Sequence, residues 1–386
     1  MLTRHGWAML LAAAAAFATG RVFALIELYV LGASLVVAVL VGVVVANTRA
    51  PQLSVERSTD PESPVAGSPI TVLMRLTQRG RRSTPELTLW ERVGNVGGAT
   101  MSLAPLSPRS SAGATYAIPA TRRGILVCGP LQVRRSDPLG LACRTRDVAG
   151  IDEIVVLPLT VPLAPPRIGS PGVLGQTLKA KAVAQGGLDF HGLREYVPGD
   201  DPRRISWKAS ARSTELLVRE HADDELRRVT VALDALIDDE RAFERAVSAA
   251  ASVVLACAAT ELDVRVVSQE ADWRGPDVVR VASRGLAVIE RASGPAPVPP
   301  GPSTPEGLGV VVLVTDRAAS DFVAAARAQL GRNQTVVTIT TAAPAAPAAP
   351  AEGMMDGHLV VAAPSLHQLE SSWNRLVGDT RLGVGG

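Results

Sequence analysis

Two apolar runs at the N-terminus constrain this chain more than anything that follows them. Residues 7–20, WAMLLAAAAAFATG, are apolar, and residues 28–46, LYVLGASLVVAVLVGVVVA, carry no charge at all. A helix needs about 20 predominantly apolar residues to cross a bilayer. The second run meets that length by itself. The first meets it when its helix continues through Arg21 toward Leu25, with the guanidinium reaching back to the interface. The pair then reads as a helical hairpin over residues 1–48 with a very short connection. A secretory signal peptide is the competing reading of the first run, with Arg4 and His5 as its basic region and AFA at 16–18 as its cleavage site. The hairpin is preferred, because a second span follows almost at once and anchors the chain in either case. Arg4 precedes the first span, Arg49 and Arg57 follow the second, and Arg21 in the connection is balanced by Glu27. That distribution predicts both ends, and so the soluble domains, on the cytoplasmic side of the membrane.

The 386 residues suffice for two or three domains. A net charge of +2 offers no electrostatic case for nucleic acid. Only three of the 39 basic residues are lysines, at 179, 181 and 208, so a given arginine reads first as a solvated or salt-bridged surface charge. Cys128, Cys143 and Cys257 are an odd number without metal-type spacing, and the expectation is reduced thiols.

Residues 49–157 predict an antiparallel β-sandwich of the immunoglobulin-like kind. In ITVLMRLTQ (70–78), Ile70, Val72, Met74 and Leu76 share one face, and ELTLWERV (86–93) repeats the alternation with Leu87, Leu89 and Val93. Turn-forming stretches separate these runs at short intervals. Among them, Asp137, Pro138 and Gly140 suit a type I turn. Residues 158–188 are rich in Pro and Gly, lack periodicity and read as an extended connector. Residues 189–386 then alternate strands with helices, which predicts a largely parallel sheet covered on both faces. Phe243, Val247, Ala250, Val254 and Cys257 mark the buried stripe of a helix over 240–261, and GVVVLVTD (309–316) reads as a fully buried strand. The Ala/Pro-rich stretch 341–353 reads as a surface loop inserted before a last strand and helix.

HGLREYVPGDDPRRISWKASAR (191–212) crowds acids, arginines, a Tyr and a Trp between turn signals. Asp201 as N-cap and Pro202 at the first helical position predict a short helix over 202–212, with Trp207 as its buried anchor. ELLVREH (215–221) reads as the strand leading into the α/β domain. Arg203, Arg204, Lys208, Arg212 and Trp207 are the residue types that grip a nucleic-acid strand, but Glu195, Asp200, Asp201, Glu215 and Glu220 nearly cancel their charge. Asp189, His191, Glu195, Asp200 and Asp201 could supply a base or metal ligands, yet no complete catalytic motif accompanies them. An ionic joint, with acids and arginines paired and Tyr196 and Trp207 packed inward, fits the composition best.

DFHGLREYVPGDDPRRISWKASARSTELLVREH closely resembles the signature of the bacterial family known as domain of unknown function 58, and TRRGILVCGPLQVRRSDPLGL resembles that family's second recurrent stretch. The resemblance implies a membrane-anchored relative of the von Willebrand factor A fold. It further implies a partner or adaptor of a MoxR-type AAA+ ATPase, often beside a transglutaminase-like membrane protein, in assembling or maturing other proteins. The family's motif falls here on Gly192, Leu193, Arg194, Glu195, Tyr196, Gly199, Asp200, Arg204, Ile205, Trp207, Lys208 and Glu220, with Ser206 where an Asp is usual. A-type domains hold a divalent cation through Asp-x-Ser-x-Ser, whereas the run here is DALID, with Leu236 and Asp238 in place of the two Ser. No cofactor is therefore expected, and Asp234, Asp238 and Asp316 are the weak candidates for Mg²⁺. Otherwise Asp238 serves as a helix cap and the others as solvated loop acids. The expectation is a non-enzymatic membrane adaptor that does not bind nucleic acid. The alternative is a metal-dependent hydrolase using the signature acids.

Overall fold

Both apolar runs form long helices, α1 (Arg4–Phe23) and α2 (Ile26–Asn47), with mean hydropathies of 1.4 and 2.8 over their most apolar windows. In this computed structural model the described residues are 2–47, 52–94, 97–168, 170–184, 192–196, 205–212, 216–220, 228–260, 262–292, 309–330, 334–342, 352–355 and 358–378. The two helices are long and apolar enough to cross a membrane. Ala24 takes a left-handed conformation and the Leu25 N–H donates to the Gly20 carbonyl, which ends α1 and reverses the chain within two residues. Gly20 on α1 and Gly32 on α2 lie where the helices meet: a β-carbon at Gly20 would come within 3.1 Å of Leu28, and one at Gly32 within 3.0 Å of the Phe17 ring. Their lack of bulk lets the two backbones approach closely.

The chain divides into two compact units, Met1–Val156 and Leu157–Gly386. After the helices, the first unit holds β1 (Leu53–Asp60), β2 (Pro69–Gln78), β3 (Leu87–Val93), β4 (Gly97–Leu103), β5 (Ser111–Pro119), β6 (Gly124–Ser136), β7 (Cys143–Ala149) and β8 (Asp152–Val156). They build two antiparallel sheets, β1-β2-β5 and β4-β3-β6-β7, with β8 also paired to β6. The alternation read from the sequence is real. Val72, Met74 and Leu76 of β2 share one core with Leu87, Leu89 and Val93 of β3, while Ile70 lies in a smaller cluster with Ala120 and Val156. Cys128 is buried in the larger core, Cys143 is half-buried, and none of the three cysteines is in a disulfide.

The second unit corrects the reading of residues 158–188 as an extended connector. That segment carries α3 (Val173–Ala184), and Leu163, Ala164, Leu174 and Leu178 are buried in the core of this unit. The elements that follow are β9 (Gly192–Glu195), α4 (Trp207–Ser210), β10 (Leu217–Glu220), β11 (Arg228–Leu233), α5 (Glu240–Ala258), β12 (Asp263–Val267), β13 (Asp272–Trp273), α6 (Val278–Val288), β14 (Gly309–Thr315), α7 (Asp321–Gln329), β15 (Gln334–Thr340), β16 (Glu352–Met355), β17 (His358–Ala362) and α8 (Leu366–Val377). Two hydrogen bonds fasten the segment before α3 to α8. The Trp373 indole donates to the Ala164 carbonyl at 2.8 Å, and the Ala164 N–H donates to Asn374 Oδ1 at 2.8 Å. Its lack of periodicity arises because it packs through single side chains and backbone bonds, and only α3 adds a regular face.

The main sheet runs β13-β12-β11-β14-β15-β17-β16. The five central strands are parallel, and the short edge strands β13 and β16 are antiparallel. Val310 to Thr315 of β14 are all buried, as a strand covered on both faces requires. Burying each such aliphatic side chain contributes about 1.5–3 kcal/mol. Phe243, Val247, Ala250, Val254 and Cys257 all face inward from α5. Most of the Ala/Pro-rich loop, residues 343–351, lies outside the described residues.

Candidate functional site

Strand order places the first candidate site. From β11 the chain moves to β12 on one side, and from β14 it moves to β15 and β17 on the other. The carboxyl ends of β11 and β14 therefore flank the point where the winding reverses, where open α/β sheets gather their ligands. Asp234 directly follows β11 and Thr315 closes β14. The Thr315 hydroxyl donates to Asp234 Oδ2 at 2.9 Å, and the Leu236 N–H donates to Asp234 Oδ1 at 3.0 Å. Gln269 braces the same loop: it accepts from the Ala235 N–H at 2.9 Å and approaches Asp234 Oδ1 at 3.4 Å. Ser320, the N-cap of α7, has its hydroxyl 3.3 Å from that of Thr315. Burial pushes the Asp234 carboxyl above the ordinary range against these hydrogen bonds, and the charge of Asp316 adds to the effect.

The arrangement differs from a set of solvated acids. Asp234 is buried, and both its oxygens already accept hydrogen bonds. Asp238 is exposed, and the cap of α5 is its neighbour Asp239, whose carboxylate accepts from the N–H groups of Arg241 and Ala242. Asp238 instead offers its backbone carbonyl to Arg291 at 2.6 Å. Among the described residues no three His, Cys, Asp or Glu side chains gather into one metal-ligating group, so Asp234, Asp238 and Asp316 do not form one. Leu236 contributes only its N–H. The oxygen atoms at the switch point thus hold the loop together, and a hard cation would have to displace those bonds to gain several oxygen ligands.

The signature stretch forms a second candidate. β9 and β10 pair antiparallel, which sets Gly192 opposite Glu220 and Glu195 opposite Leu217. The Tyr196 N–H donates to the Leu216 carbonyl at 2.8 Å. Ser206 is buried and its N–H donates to the Leu217 carbonyl at 2.8 Å, while the Ser210 hydroxyl accepts from the Leu217 N–H at 2.8 Å. α4 is thereby fixed across β10. It begins at Trp207 after Ser206. Trp207 is not the buried anchor expected of it: 66% of its surface is exposed. Lys208 and Arg212 are exposed nearby, and Tyr196 and Ile205 are half-buried. With no side chain of α4 buried, the inward packing of this short turn rests on Ser206 and the backbone. Asp189, His191, Gly199, Asp200, Asp201, Pro202, Arg203, Arg204 and Glu215 lie outside the described residues, as does most of the proposed ionic joint. Leu193, Arg194 and Glu220 are placed by their backbone alone.

Sequence reading missed a third cluster, inside the β-rich unit. Glu91 is fully buried at the inward position between Leu89 and Val93 on β3. Arg57 of β1 meets it at 2.6 Å and also pairs with Asp152 of β8, and the Tyr116 hydroxyl of β5 donates to Glu91 Oε2 at 2.8 Å. Burial opposes the charge on Arg57, but Glu91 and Asp152 outweigh it and hold the guanidinium pKa above its usual value. Burial and then the Glu91 hydrogen bond hold the Tyr116 phenol well above its ordinary range. The missed signal was period two: a strand with Leu87, Leu89 and Val93 inward must also turn residue 91 inward.

Residues 192–270 match the model of a family described as protein of unknown function DUF58. No curated protein matches the chain. Among solved structures, the CARDB domain of a Pyrococcus furiosus protein, in complex with di-metal ions, is 12% identical, with 28% of this chain and 89% of that one covered and a TM-score of 0.22. The alkylpurine DNA glycosylase of Pseudomonas fluorescens, bound to DNA containing an abasic site analogue, is 13% identical, with 30% and 33% covered and a TM-score of 0.20.

Proposed function

We propose, from the premise that this chain belongs to the DUF58 family through residues 192–270, that it is a membrane-anchored binding protein. In this reading α1 and α2 cross the bilayer as a hairpin with both ends cytoplasmic. The β-rich unit, taken as an immunoglobulin-like sandwich, is a spacer or docking unit. The α/β unit, taken as a von Willebrand factor A-like domain, presents the partner surface. One observation carries the proposal: Trp207 stands outward beside Lys208 and Arg212 on a turn whose backbone is pinned to β10. A large aromatic with adjacent cations on a rigid support is the composition of a protein–protein hot spot. The partner proposed is a MoxR-type AAA+ ATPase acting in the assembly or maturation of other proteins, with a transglutaminase-like membrane protein as a further associate.

Crosslinking in native membranes, followed by identification of the bound proteins, tests the proposal. Recovery of an AAA+ ATPase with the wild type and its loss with Trp207→Ala is the expected result. Recovery unchanged by Trp207→Ala removes the role of that surface, and recovery of no ATPase removes the adaptor reading.

The position of Asp234 at the switch point, near the charge of Asp316, is the observation behind the second reading, a metal-dependent hydrolase using the signature acids. Calorimetric titration of the purified chain with Mg²⁺, Mn²⁺ and Ca²⁺ separates the two. Stoichiometric binding abolished by Asp234→Ala supports the hydrolase, and its absence supports the adaptor.

A further inference from the structure

The DPLGLA turn, residues 137–142, is bonded to the open end of the helical hairpin. The Thr3 N–H donates to the Leu141 carbonyl at 2.9 Å, and the Thr3 hydroxyl donates to the Gly140 carbonyl at 2.5 Å. A β-carbon added to Gly6 would lie 2.2 Å from the Leu141 carbonyl oxygen, so only glycine permits this approach on the first turn of α1. On α2, a β-carbon at Gly42 would lie 3.3 Å from the Asp137 carboxyl. Gly42 is five residues inside the C-terminal end of α2, a depth of about 7.5 Å along the axis. The turn therefore lies beside the uncharged run that ends at Ala46, within the span of the helices.

Its internal bonding suits an apolar medium. The Asp137 N–H donates to the Ala142 carbonyl and the Gly140 N–H donates to the Asp137 carbonyl. The Asp137 carboxylate is buried and accepts from the N–H groups of Leu139, at 2.9 Å, and Ala142, at 2.6 Å. Pro138 has no N–H to satisfy. Backbone that enters lipid must meet its polar groups internally. What the turn presents outward is apolar: Pro138 is exposed, and Leu139 is 66% exposed.

We infer that Pro138 and Leu139 enter the lipid interface beside the hairpin, so that the β-rich unit grips the bilayer at a second point and its attitude to the membrane is held. The partner surface is lipid hydrocarbon at the headgroup boundary. This rests on the reading of α1 and α2 as membrane-spanning, and the experiment separates the two.

A nitroxide is attached at Leu139→Cys in a Cys143→Ser background, where the remaining cysteines, Cys128 and Cys257, are buried. The full chain is reconstituted into vesicles of phosphatidylcholine and phosphatidylglycerol, and collisions with oxygen and with an aqueous nickel chelate are measured. Val41→Cys, on an exposed position of α2, and Glu62→Cys, in the turn beyond the far end of β1, are the lipid and water references. Oxygen-rich, nickel-poor collisions at 139, matching the label at 41, are expected. A water-like label at 139 with a lipid-like label at 41 overturns the wedge and leaves the hairpin standing. Water-like labels at both positions overturn the spanning hairpin, and the wedge with it. Pro138→Cys gives a second reporter should Leu139→Cys fail to fold.

Discussion

Glu91 in the β-rich unit and Asp234 in the α/β unit are both buried carboxylates placed by strands, yet they meet different partners. Glu91 faces the cation Arg57 and the Tyr116 hydroxyl. Among the described residues, the hydrogen bonds to Asp234 come from neutral donors, Thr315, Gln269 and the Leu236 N–H, and the one charge acting on it, Asp316, is of like sign. The first arrangement is an ionic tie between sheets, since Arg57 and Tyr116 come from β1 and β5 while Glu91 and Asp152 come from β3 and β8. The second is a dipolar cage around one loop. A buried ion pair becomes a liability when either partner is lost, because the other charge stays desolvated. A carboxyl in a neutral cage has an escape, because it can take up a proton.

Arg57→Ala attacks the ionic tie directly. It leaves Glu91 buried without its cation, and about 3–5 kcal/mol of stability should be lost in denaturant melts of the purified chain in detergent. The apolar double variant Arg57→Met with Glu91→Leu should recover most of that loss, and a single variant that melts like the wild type would break the comparison. A control of similar size lies in the other unit. Trp373→Ala removes a fully buried indole and its bond to Ala164, at a cost of about 3–5 kcal/mol. Thr315→Val probes the neutral cage. Removing the buried hydroxyl donor from Asp234 should cost about 1–3 kcal/mol.

The pH dependence sharpens the contrast. Because burial raises the Asp234 pKa, the folded chain holds that proton more tightly than the unfolded chain does. The contribution of Asp234 to stability then falls as pH rises from the ordinary carboxylate value through the raised folded value. Asp234→Asn lacks this slope, so the variant should gain on the wild type as pH rises through that window. A wild type that gains on the variant instead would mean the loop stabilises the anion. The smallest effect belongs to Trp207→Ala. An exposed indole should change stability by no more than about 0.5 kcal/mol, in contrast to Trp373, while partner recovery is lost.

The two tryptophans also show what could be read in advance. Both are large aromatics within helices, and composition gives each the same reason to be inside. Trp373 sits on a twelve-residue helix with Leu369, Leu376 and Val377 beside it on the buried face. Trp207 sits on four residues, too few to make a face, so neighbouring backbone bonds decide where it points. Glu91 teaches the converse. Its charge argued for the surface, and the alternation of Leu87, Leu89 and Val93 argued for the core. The alternation won because Arg57 and Tyr116, distant in sequence, supply what the carboxylate needs. The switch-point acids were legible as strand-end residues, but the satisfaction of Asp234 by Thr315 and Gln269 was not.

Periodicity and length alone determined the two apolar helices, the β-rich stretch after them, the alternating strands and helices that follow, and the signature stretch between. These are local properties, set by which side chains recur on one face of a 3.6-residue or two-residue repeat. Tertiary structure alone decided that Glu91 turns inward to a cation, that Trp207 turns outward, that residues 158–184 pack into the α/β unit, and that the 137–142 turn clasps the hairpin. Each of those outcomes depends on a partner far along the chain, and a buried charge, an exposed ring or an irregular segment is stable only where the fold brings that partner within reach.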